Sequence, residues 1–256
     1  MERKKPNKIK KLFSRIFTMI CIVVFSYSLY ELSGIGLDYY YNRQVLAEAQ
    51  EIYNNGIEQK SASDDQSVRK QFLELQEINE DIIGWIQIND TKINYPILQA
   101  ENNTYYLDRN YKREQSRAGS IFADYRNYLT EENKNFILYG HRMKDETMFN
   151  QLTKYLDEDF FDTHSTIHFD TLYHSYDAIV FSAYYTTTDF DYIQTDFDTE
   201  EEFQSLVDEM KNRSVYATDV SVQEDDTILT LSTCDYTLDP DEGRFVVHAK
   251  LVDRDK

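Results

Sequence analysis

An almost charge-free apolar run stands near the start of the chain, from Ile16 to Tyr30, and apolar residues continue from Leu32 to Ile35. A helix that crosses a bilayer needs about 17–25 such residues, whereas a cleaved signal peptide has an apolar core of about 7–15 residues and a small-x-small cleavage site. No convincing Ala-x-Ala site closes the run. The pattern therefore predicts an uncleaved transmembrane signal anchor over residues 16–35.

Basic residues precede this anchor, and acidic residues dominate the rest of the chain. Residues 1–32 carry seven Lys or Arg against Glu2 and Glu31, although the whole chain has a net charge of −19. Because positively charged flanks tend to stay in the cytoplasm, we expect residues 1–15 there and the acidic body outside a cell membrane that the chain crosses once. So acidic a body repels phosphate backbones, and nucleic acid is not an expected partner.

A polar, helix-forming stretch follows the anchor. Leu46, Ala49 and Tyr53 recur at helical spacing before Gly56 and a Ser/Asp-rich segment over 61–66 interrupt the pattern. A second helix is predicted where apolar residues share one face of residues 67–78. We interpret residues 36–68 as a helical stalk or linker and residues 69–256 as the extracellular domain.

From Ile82 onward the pattern changes to short alternating or apolar runs, which predict strands. The many aromatic residues, 21 Tyr and 15 Phe, also favour a β-rich body. Two amphipathic helices interrupt these runs, at Thr147–Tyr155 and Thr199–Asn212, and the second is expected to pack on the body. Many short strands with two helical insertions predict a closed or half-open β-barrel. The predicted strands are 83–88, 93–98, 120–123, 135–139, 166–171, 173–185, 227–232 and 244–252.

Three strands begin or end on residues that could carry chemistry. One apolar run ends on Gly-His141, a second ends on Cys234, and a third opens with Arg244. Cys21 lies in the anchor and cannot pair with Cys234, and a lone thiol in an exported domain is unusual. Cys, His and Arg suffice for acyl transfer by nucleophile, proton donor and oxyanion donor. Taken singly, a buried Cys, a surface His and a solvated edge Arg are equally ordinary interpretations.

Taken together, Tyr-Gly-His at 139–141, Thr-Leu-Ser-Thr-Cys at 230–234 and the following Arg, behind a signal anchor, resemble the sortase family. The resemblance covers about residues 70–252. Other strings resemble class B sortases: Asn94-Tyr-Pro-Ile-Leu-Gln, Tyr106-Leu-Asp, Gly119-Ser-Ile-Phe, Asp145-Glu-Thr-Met-Phe, Phe181-Ser-Ala-Tyr-Tyr-Thr-Thr-Thr and Tyr192-Ile-Gln-Thr-Asp-Phe.

The resemblance implies a mainly β fold, a closed sortase barrel of about eight strands with N-terminal helices and a helix inserted before the Cys strand. It implies a cysteine transpeptidase in which Cys234 is the nucleophile, His141 the acid and base, and Arg244 the oxyanion donor. Asp235 would orient Arg244 or contact substrate, or be a solvated loop acid. The residues implied to line the substrate groove are Asn103, Leu107, Thr188, Tyr192, Ile193 and Ser232.

The partners that the resemblance implies are sorting-signal peptides with an Asn-Pro-x-Thr-like or related Pro-x-Thr motif, and an amine of peptidoglycan. Such an enzyme anchors surface proteins to the wall of a Gram-positive cell. A pilin-polymerising sortase, a membrane-tethered binding module without activity and a hydrolytic cysteine protease are the alternatives. No cofactor or metal is expected, because His164, His168 and His174 lie in strand-like sequence without Cys or Glu at ligand spacing.

Overall fold

The computed structural model of the protein describes residues 8–58, 67–128, 133–235 and 237–254. The chain divides into two compact units, Met1–Arg43 and Gln44–Lys256. The second unit contains the barrel and every candidate residue of the reaction.

The first helix, α1, runs without a break over Lys8–Glu58. It contains an apolar window with a mean hydropathy of 1.9, which makes it long and apolar enough to cross a membrane. Its apolar side chains in this window are exposed to the surroundings, for example Val23 and Phe25. The helical pattern was predicted to be interrupted at Gly56. The helix nevertheless continues to Glu58, since one glycine costs a helix only about 1 kcal/mol. The predicted anchor and the first part of the predicted stalk are thus one helix.

The last turns of α1 lie within the second unit and pack on the barrel. Val45, Ala49 and Tyr53 follow each other at the i, i+4 spacing of one helix face and are buried. The Tyr53 ring stacks on Trp85 with ring centroids 4.1 Å apart, and its hydroxyl donates to the Asp170 carboxylate. A second helix, α2 (Lys70–Ile78), adds buried side chains to the same cluster, and it begins three residues later than the sequence predicts.

Eight strands close into a barrel in the order β1-β2-β3-β4-β7-β8-β6-β5, which confirms the predicted fold. Each predicted strand is present, with ends displaced by at most two residues. The most consequential displacement is that the Cys strand continues to Cys234 itself. The strands are β1 Ile82–Gln87, β2 Asn94–Leu98, β3 Ile121–Ala123, β4 Asn135–Tyr139, β5 Thr166–Thr171, β6 Ser175–Thr186, β7 Ile228–Cys234 and β8 Arg244–Asp253.

The helical insertions differ from each other in how well the sequence predicts them. Glu200–Arg213 forms helix α4, and Thr199 caps it by accepting a hydrogen bond from the Glu202 amide at 3.2 Å. The predicted helix at Thr147–Tyr155 is instead a 3₁₀-helix over Phe149–Leu156. It stops there because Asp157 caps a separate short helix, α3 (Glu158–Thr163).

Both faces of β7 and β8 are buried. Alternate residues such as Leu231 and Val247 belong to the cluster that fills the barrel. The intervening residues, such as Ile228 and Val246, pack outside it against the apolar face of α4. The apolar stripe of α4 therefore packs on the body, as the sequence predicts.

A buried chain of polar side chains crosses this outer layer. Thr230 donates to Asn135 Oδ1 at 2.6 Å and therefore accepts from His248 Nδ1, which is 2.9 Å away. His248 Nε2 then accepts from the Tyr184 hydroxyl at 2.9 Å. The imidazole is fully buried, and burial lowers the pKa of His248 from 6.5 to about 3.

This buried histidine predicts a loss of stability in acid. Because the folded-state pKa lies below the ordinary value, the unfolded chain binds more protons below about pH 6.5, and the free energy of unfolding falls as pH drops from there toward 3. We expect His248→Gln to lower stability at neutral pH. The same variant should lose about 2 kcal/mol less than wild type between pH 6.5 and 4.5. Urea unfolding of the detergent-solubilised full-length chain measures both, and parallel curves for the two proteins would contradict the assignment.

Candidate active site

Two strand pairings bring the predicted reactive residues to one end of the barrel. β4 runs parallel to β7 with Tyr139 opposite Ser232, and the Gly140 amide extends this pairing by donating to the Ser232 carbonyl at 3.2 Å. His141 and Cys234 each lie two residues beyond that pair. β7 runs antiparallel to β8, and Cys234 is directly opposite Arg244. Cys234 and Arg244 therefore sit side by side on adjacent strands.

Two glycines allow the chain to pass closely at these strand ends. A Cβ at Gly140 would lie 2.4 Å from Ile121 Cδ1 and 2.8 Å from the Phe149 ring. A Cβ at Gly243 would lie 2.0 Å from the Asp235 carbonyl oxygen. Any larger residue at either position would push the strand end away from its neighbour.

The imidazole of His141 contacts the last residue of the 3₁₀-helix Tyr105–Leu107. Its Nε2 lies 2.7 Å from the Leu107 carbonyl oxygen. A carbonyl oxygen only accepts hydrogen bonds, so Nε2 carries a proton in this arrangement. Nδ1 is consequently the ring nitrogen that can exchange a proton with another group.

The guanidinium of Arg244 is turned toward its own loop. Nη1 donates to the Gly243 carbonyl at 2.8 Å and to the Asp241 carbonyl at 3.3 Å. A guanidinium has five N–H donors in a fixed plane, so bonds at Nη1 leave other N–H groups that can reach an oxyanion.

Tyr192 forms a buried wall beside Cys234 and Arg244. Its hydroxyl lies 2.9 Å from Ser232 Oγ. Ser232 is two residues before Cys234, so the two side chains are on the same face of β7. Burial raises the pKa of Tyr192, and the charge of Arg244 opposes part of this rise. Tyr192 therefore lies within electrostatic reach of the Arg244 guanidinium.

The other predicted groove residues lie on two sides of these strand ends. Leu107 has a partly exposed side chain beside His141, and Ile193 packs with Tyr192 on the outer cluster. The Asn103 side chain is hydrogen-bonded within the fold: it donates to Asp124 at 2.9 Å and accepts from the Tyr125 amide at 2.9 Å. Thr188 is exposed in the turn after β6.

Asp235 differs from two of the three roles that the resemblance implied for it. Its side chain is 0 % exposed, so it is not a solvated loop acid. Its carboxylate accepts from the guanidinium of Arg142 and from the Thr237 amide at 2.9 Å. Arg244 bonds to carbonyl oxygens of the loop instead. The sequence prediction missed Arg142, although it directly follows the candidate His.

A second buried carboxylate, Asp124, was also missed. It accepts two hydrogen bonds of 2.8 Å from Arg126 and one of 2.8 Å from the Tyr139 hydroxyl. Burial alone would raise the pKa of Asp124, but the hydrogen bonds it accepts, those of Arg126 foremost, hold the pKa below its ordinary value. The Asp-Tyr-Arg string directly after β3 is the sequence feature that could have predicted this ion pair.

This carboxylate network holds the Tyr192 wall in place. Arg126 Nη2 also donates to the Ile193 carbonyl at 3.0 Å. Asn135 Nδ2 donates to the carbonyls of Tyr192 at 3.1 Å and Gln194 at 3.0 Å. Residues 192–194 are thereby tied to β4, the strand that precedes His141.

The histidines outside this site have separate partners. His164 lies 3.1 Å from an Asp90 oxygen and His168 lies 3.1 Å from an Asp177 oxygen. Within residues 8–58, 67–128, 133–235 and 237–254, no three His, Cys, Asp or Glu side chains are grouped closely enough to hold a metal ion.

Comparison with known proteins identifies the family. A Sortase domain model matches residues 86–252. A Sortase B of Listeria monocytogenes is 42% identical over 248 residues, which cover 96% of this chain and 99% of the relative. The structure of sortase B from Bacillus anthracis in complex with AAEK1 is 55% identical, with a TM-score of 0.76 over 85% of this chain and 99% of that one. A Staphylococcus aureus sortase B–substrate complex is 41% identical, with a TM-score of 0.79 over 85% and 99% of the two chains. The chain therefore belongs to the sortase family of cysteine transpeptidases, and within it to class B.

Proposed function

We propose that residues 69–256 cleave a C-terminal sorting signal after its Thr and transfer the new acyl group to an amine of peptidoglycan, anchoring surface proteins to the cell wall. Cys234 is the nucleophile, His141 the acid and base, and Arg244 the oxyanion donor. The observation that carries this proposal is the strand pairing that sets Cys234 opposite Arg244, while His141 lies two residues beyond the end of the neighbouring parallel strand β4.

In the first step the Cys234 thiolate attacks the carbonyl carbon of the Thr. The N–H groups of Arg244 stabilise the oxyanion that develops. As the C–N bond breaks, the protonated imidazole of His141 gives its Nδ1 proton to the leaving amine and becomes neutral, and a thioester between substrate and Cys234 remains. The contact of His141 Nε2 with the Leu107 carbonyl supports Nδ1 as the nitrogen that handles this proton.

The second step reverses these roles with a new amine. His141, now lacking the proton, takes one from the incoming amine of peptidoglycan as that amine attacks the thioester. The C–S bond breaks, an amide forms, and the Cys234 thiolate is released. The relative from Staphylococcus aureus, solved as a substrate complex, supports a peptide as the first partner.

The peptide is proposed to lie between two walls. Leu107 is on the side of His141, whereas Tyr192, Ile193 and the exposed Thr188 are on the side of Arg244, and Asn103 is held beside Asp124. Ser232 lies between them on the Cys strand. Asp235 is left out of this groove, because its covered carboxylate is directed to Arg142. The motif that fits best with the class is an Asn-Pro-x-Thr-like or related Pro-x-Thr sequence.

Substitution of the three reacting residues tests the reaction. We expect Cys234→Ala to abolish cleavage of fluorogenic Pro-x-Thr peptides, and His141→Gln or Arg244→Lys to lower kcat by about 10²–10³-fold. Arg254→Lys is the matched control for the arginine and should keep wild-type rates, because Arg254 bonds to Asp170, a residue outside the candidate site. Cleavage that survives Cys234→Ala would refute the mechanism.

The acceptor in the same assay separates the alternative functions. A small amine added to the wild type should divert the acyl group into an amide adduct at the expense of hydrolysis. Release of the acid alone, whatever the amine, would identify a hydrolytic protease, and preference for a Lys side chain of a second protein would identify a pilin polymerase. A folded wild type that cleaves no peptide would identify a tethered binding module.

The Tyr192 wall gives a test of substrate binding. Tyr192→Phe removes the hydroxyl that pairs with Ser232 and leaves that buried serine without this partner, so the wall next to Cys234 loosens. We expect kcat/KM to fall about threefold to tenfold, mainly through KM. Tyr216→Phe is the control, since it removes a comparable hydroxyl that donates to the Leu156 carbonyl at 2.7 Å. Equal effects of the two variants would count against the proposed groove.

The membrane topology is proposed from charge. The Lys and Arg cluster before the apolar run of α1 favours a cytoplasmic N-terminus and an extracellular barrel.

A thiol label tests this topology directly. A membrane-impermeant maleimide should label Cys234 in intact cells, because the thiol is partly exposed, and Cys234→Ser cells should stay unlabelled. Labelling that requires lysed cells would place the barrel in the cytoplasm and contradict the proposal.

A further inference from the structure

An ion pair joins the two residues that directly follow the candidate base and nucleophile. Arg142 follows His141, Asp235 follows Cys234, and the Arg142 guanidinium donates to the Asp235 carboxylate. We infer that this pair is a positioning device that holds the His141 end of β4 against the Cys234 end of β7 at the separation that proton transfer requires. The inference rests on the proposed function of these residues.

Such a device is needed because the strand pairing stops short of the reacting residues. The named pairs of β4 with β7 end at Tyr139 and Ser232, and one further hydrogen bond runs from the Gly140 amide to the Ser232 carbonyl. Beyond this point Cys234 pairs with β8 instead. His141 therefore lies past the last of these bonds to the Cys strand, and the ion pair lies one residue farther on.

The arginine end of the pair is fixed through its main chain. Arg142 forms a β-bridge with Met148, and the His141 carbonyl accepts from the Phe149 amide at 2.9 Å. Met148 is fully buried and donates its own amide to the Tyr95 hydroxyl at 3.2 Å. Because the main chain is held at both His141 and Arg142, the position of the guanidinium is coupled to that of His141.

The carboxylate end is fixed as firmly. The Asp235 side chain is 0 % exposed, whereas that of Arg142 is 35 % exposed. Oδ1 of Asp235 accepts from the Thr237 amide at 2.9 Å, and the Asp235 amide donates to the Gly243 carbonyl at 3.0 Å. Gly243 precedes Arg244, so Asp235 joins the ends of all three strands that carry the reaction, with its carboxylate on Arg142 and its main-chain amide on Gly243.

A direct role of Asp235 on the imidazole is the competing interpretation. The His141 Nε2 contact goes to the Leu107 carbonyl, and the carboxylate contacts go to Arg142 and Thr237. A positioning role predicts loss of kcat with little change in KM, because proton transfer depends on geometry and a displacement of about 1 Å costs on the order of 10²-fold in rate. It also predicts that loss of either residue of the pair lowers kcat as much as loss of both.

The experiment uses the detergent-solubilised full-length chain, a Pro-x-Thr peptide and a small amine. Arg142→Gln and Asp235→Asn should each lower kcat about tenfold to a hundredfold with KM within about twofold of wild type, and the double variant should be no worse than either single one. Arg142→Lys should recover part of the rate, since it keeps the charge and loses the planar fork. If Arg142→Gln does not fold, the rate of Arg142→Lys tests the inference in its place. Lys250→Gln is the matched control, because it breaks a 2.6 Å ion pair with Asp226 at the other end of the same strands, and it should keep the wild-type rate.

Several results would overturn the inference. Loss of rate in Asp235→Asn with full rate in Arg142→Gln would show that Asp235 acts on its own, and a rise in KM alone would make it a substrate contact. Additive losses in the double variant, or an equal loss in Lys250→Gln, would reduce the pair to general stability. If the wild type cleaves the peptide and Arg142→Gln and Asp235→Asn cleave it at the same rate, this inference is wrong but the proposed function stands. A wild type without turnover removes the proposed function as well.

Discussion

The hydrogen-bond register of β7 is the constraint on which the rest of the site depends. Its parallel pairing with β4 sets where His141 stands, and its antiparallel pairing with β8 sets Arg244 opposite Cys234. Since side chains alternate along a strand, a slip of one residue would turn Cys234 to the other face. Apolar packing prevents this slip, because β7 buries Leu231 inside the barrel and Ile228 under α4. The packing of the core therefore determines which way the Cys234 side chain points.

Polar side chains on the outer face of the same strands continue this control toward the site. Below Cys234 come Ser232 with its Tyr192 partner and then Thr230 with His248, each pair buried and hydrogen-bonded. The segment that carries Tyr192 is tied back to β3 and β4 by Asp124, Arg126 and Asn135. The reacting groups therefore stand at the ends of packed strands whose neighbours are held on both sides, as a preorganised site requires.

The sequence predicts what is local and misses what depends on strand order. Apolar runs that end on Gly-His141 and Cys234 are visible as strings, so their strands and the Cys234–Arg244 juxtaposition could be predicted. Arg142 and Asp235 are 93 positions apart, and their contact follows only from the parallel β4–β7 pairing. The contacts of Asp124 with Tyr139 and Asn103 likewise depend on how separate strands and loops pack, and not on the local sequence. The 3₁₀ geometry at Phe149–Leu156 also escaped prediction, because the Asp157 cap divides one apolar stripe between two short helices.

The central claim is that the Cys234 sulfur carries the acyl group between the two half-reactions. Intact-mass spectrometry of the full-length chain, mixed with a sorting-signal peptide in the absence of amine, tests it most directly. We expect an adduct with the mass of the peptide up to its Thr, mapped to Cys234 and discharged when amine is added. Peptide cleavage with no adduct on Cys234, or an adduct on another residue, would contradict it.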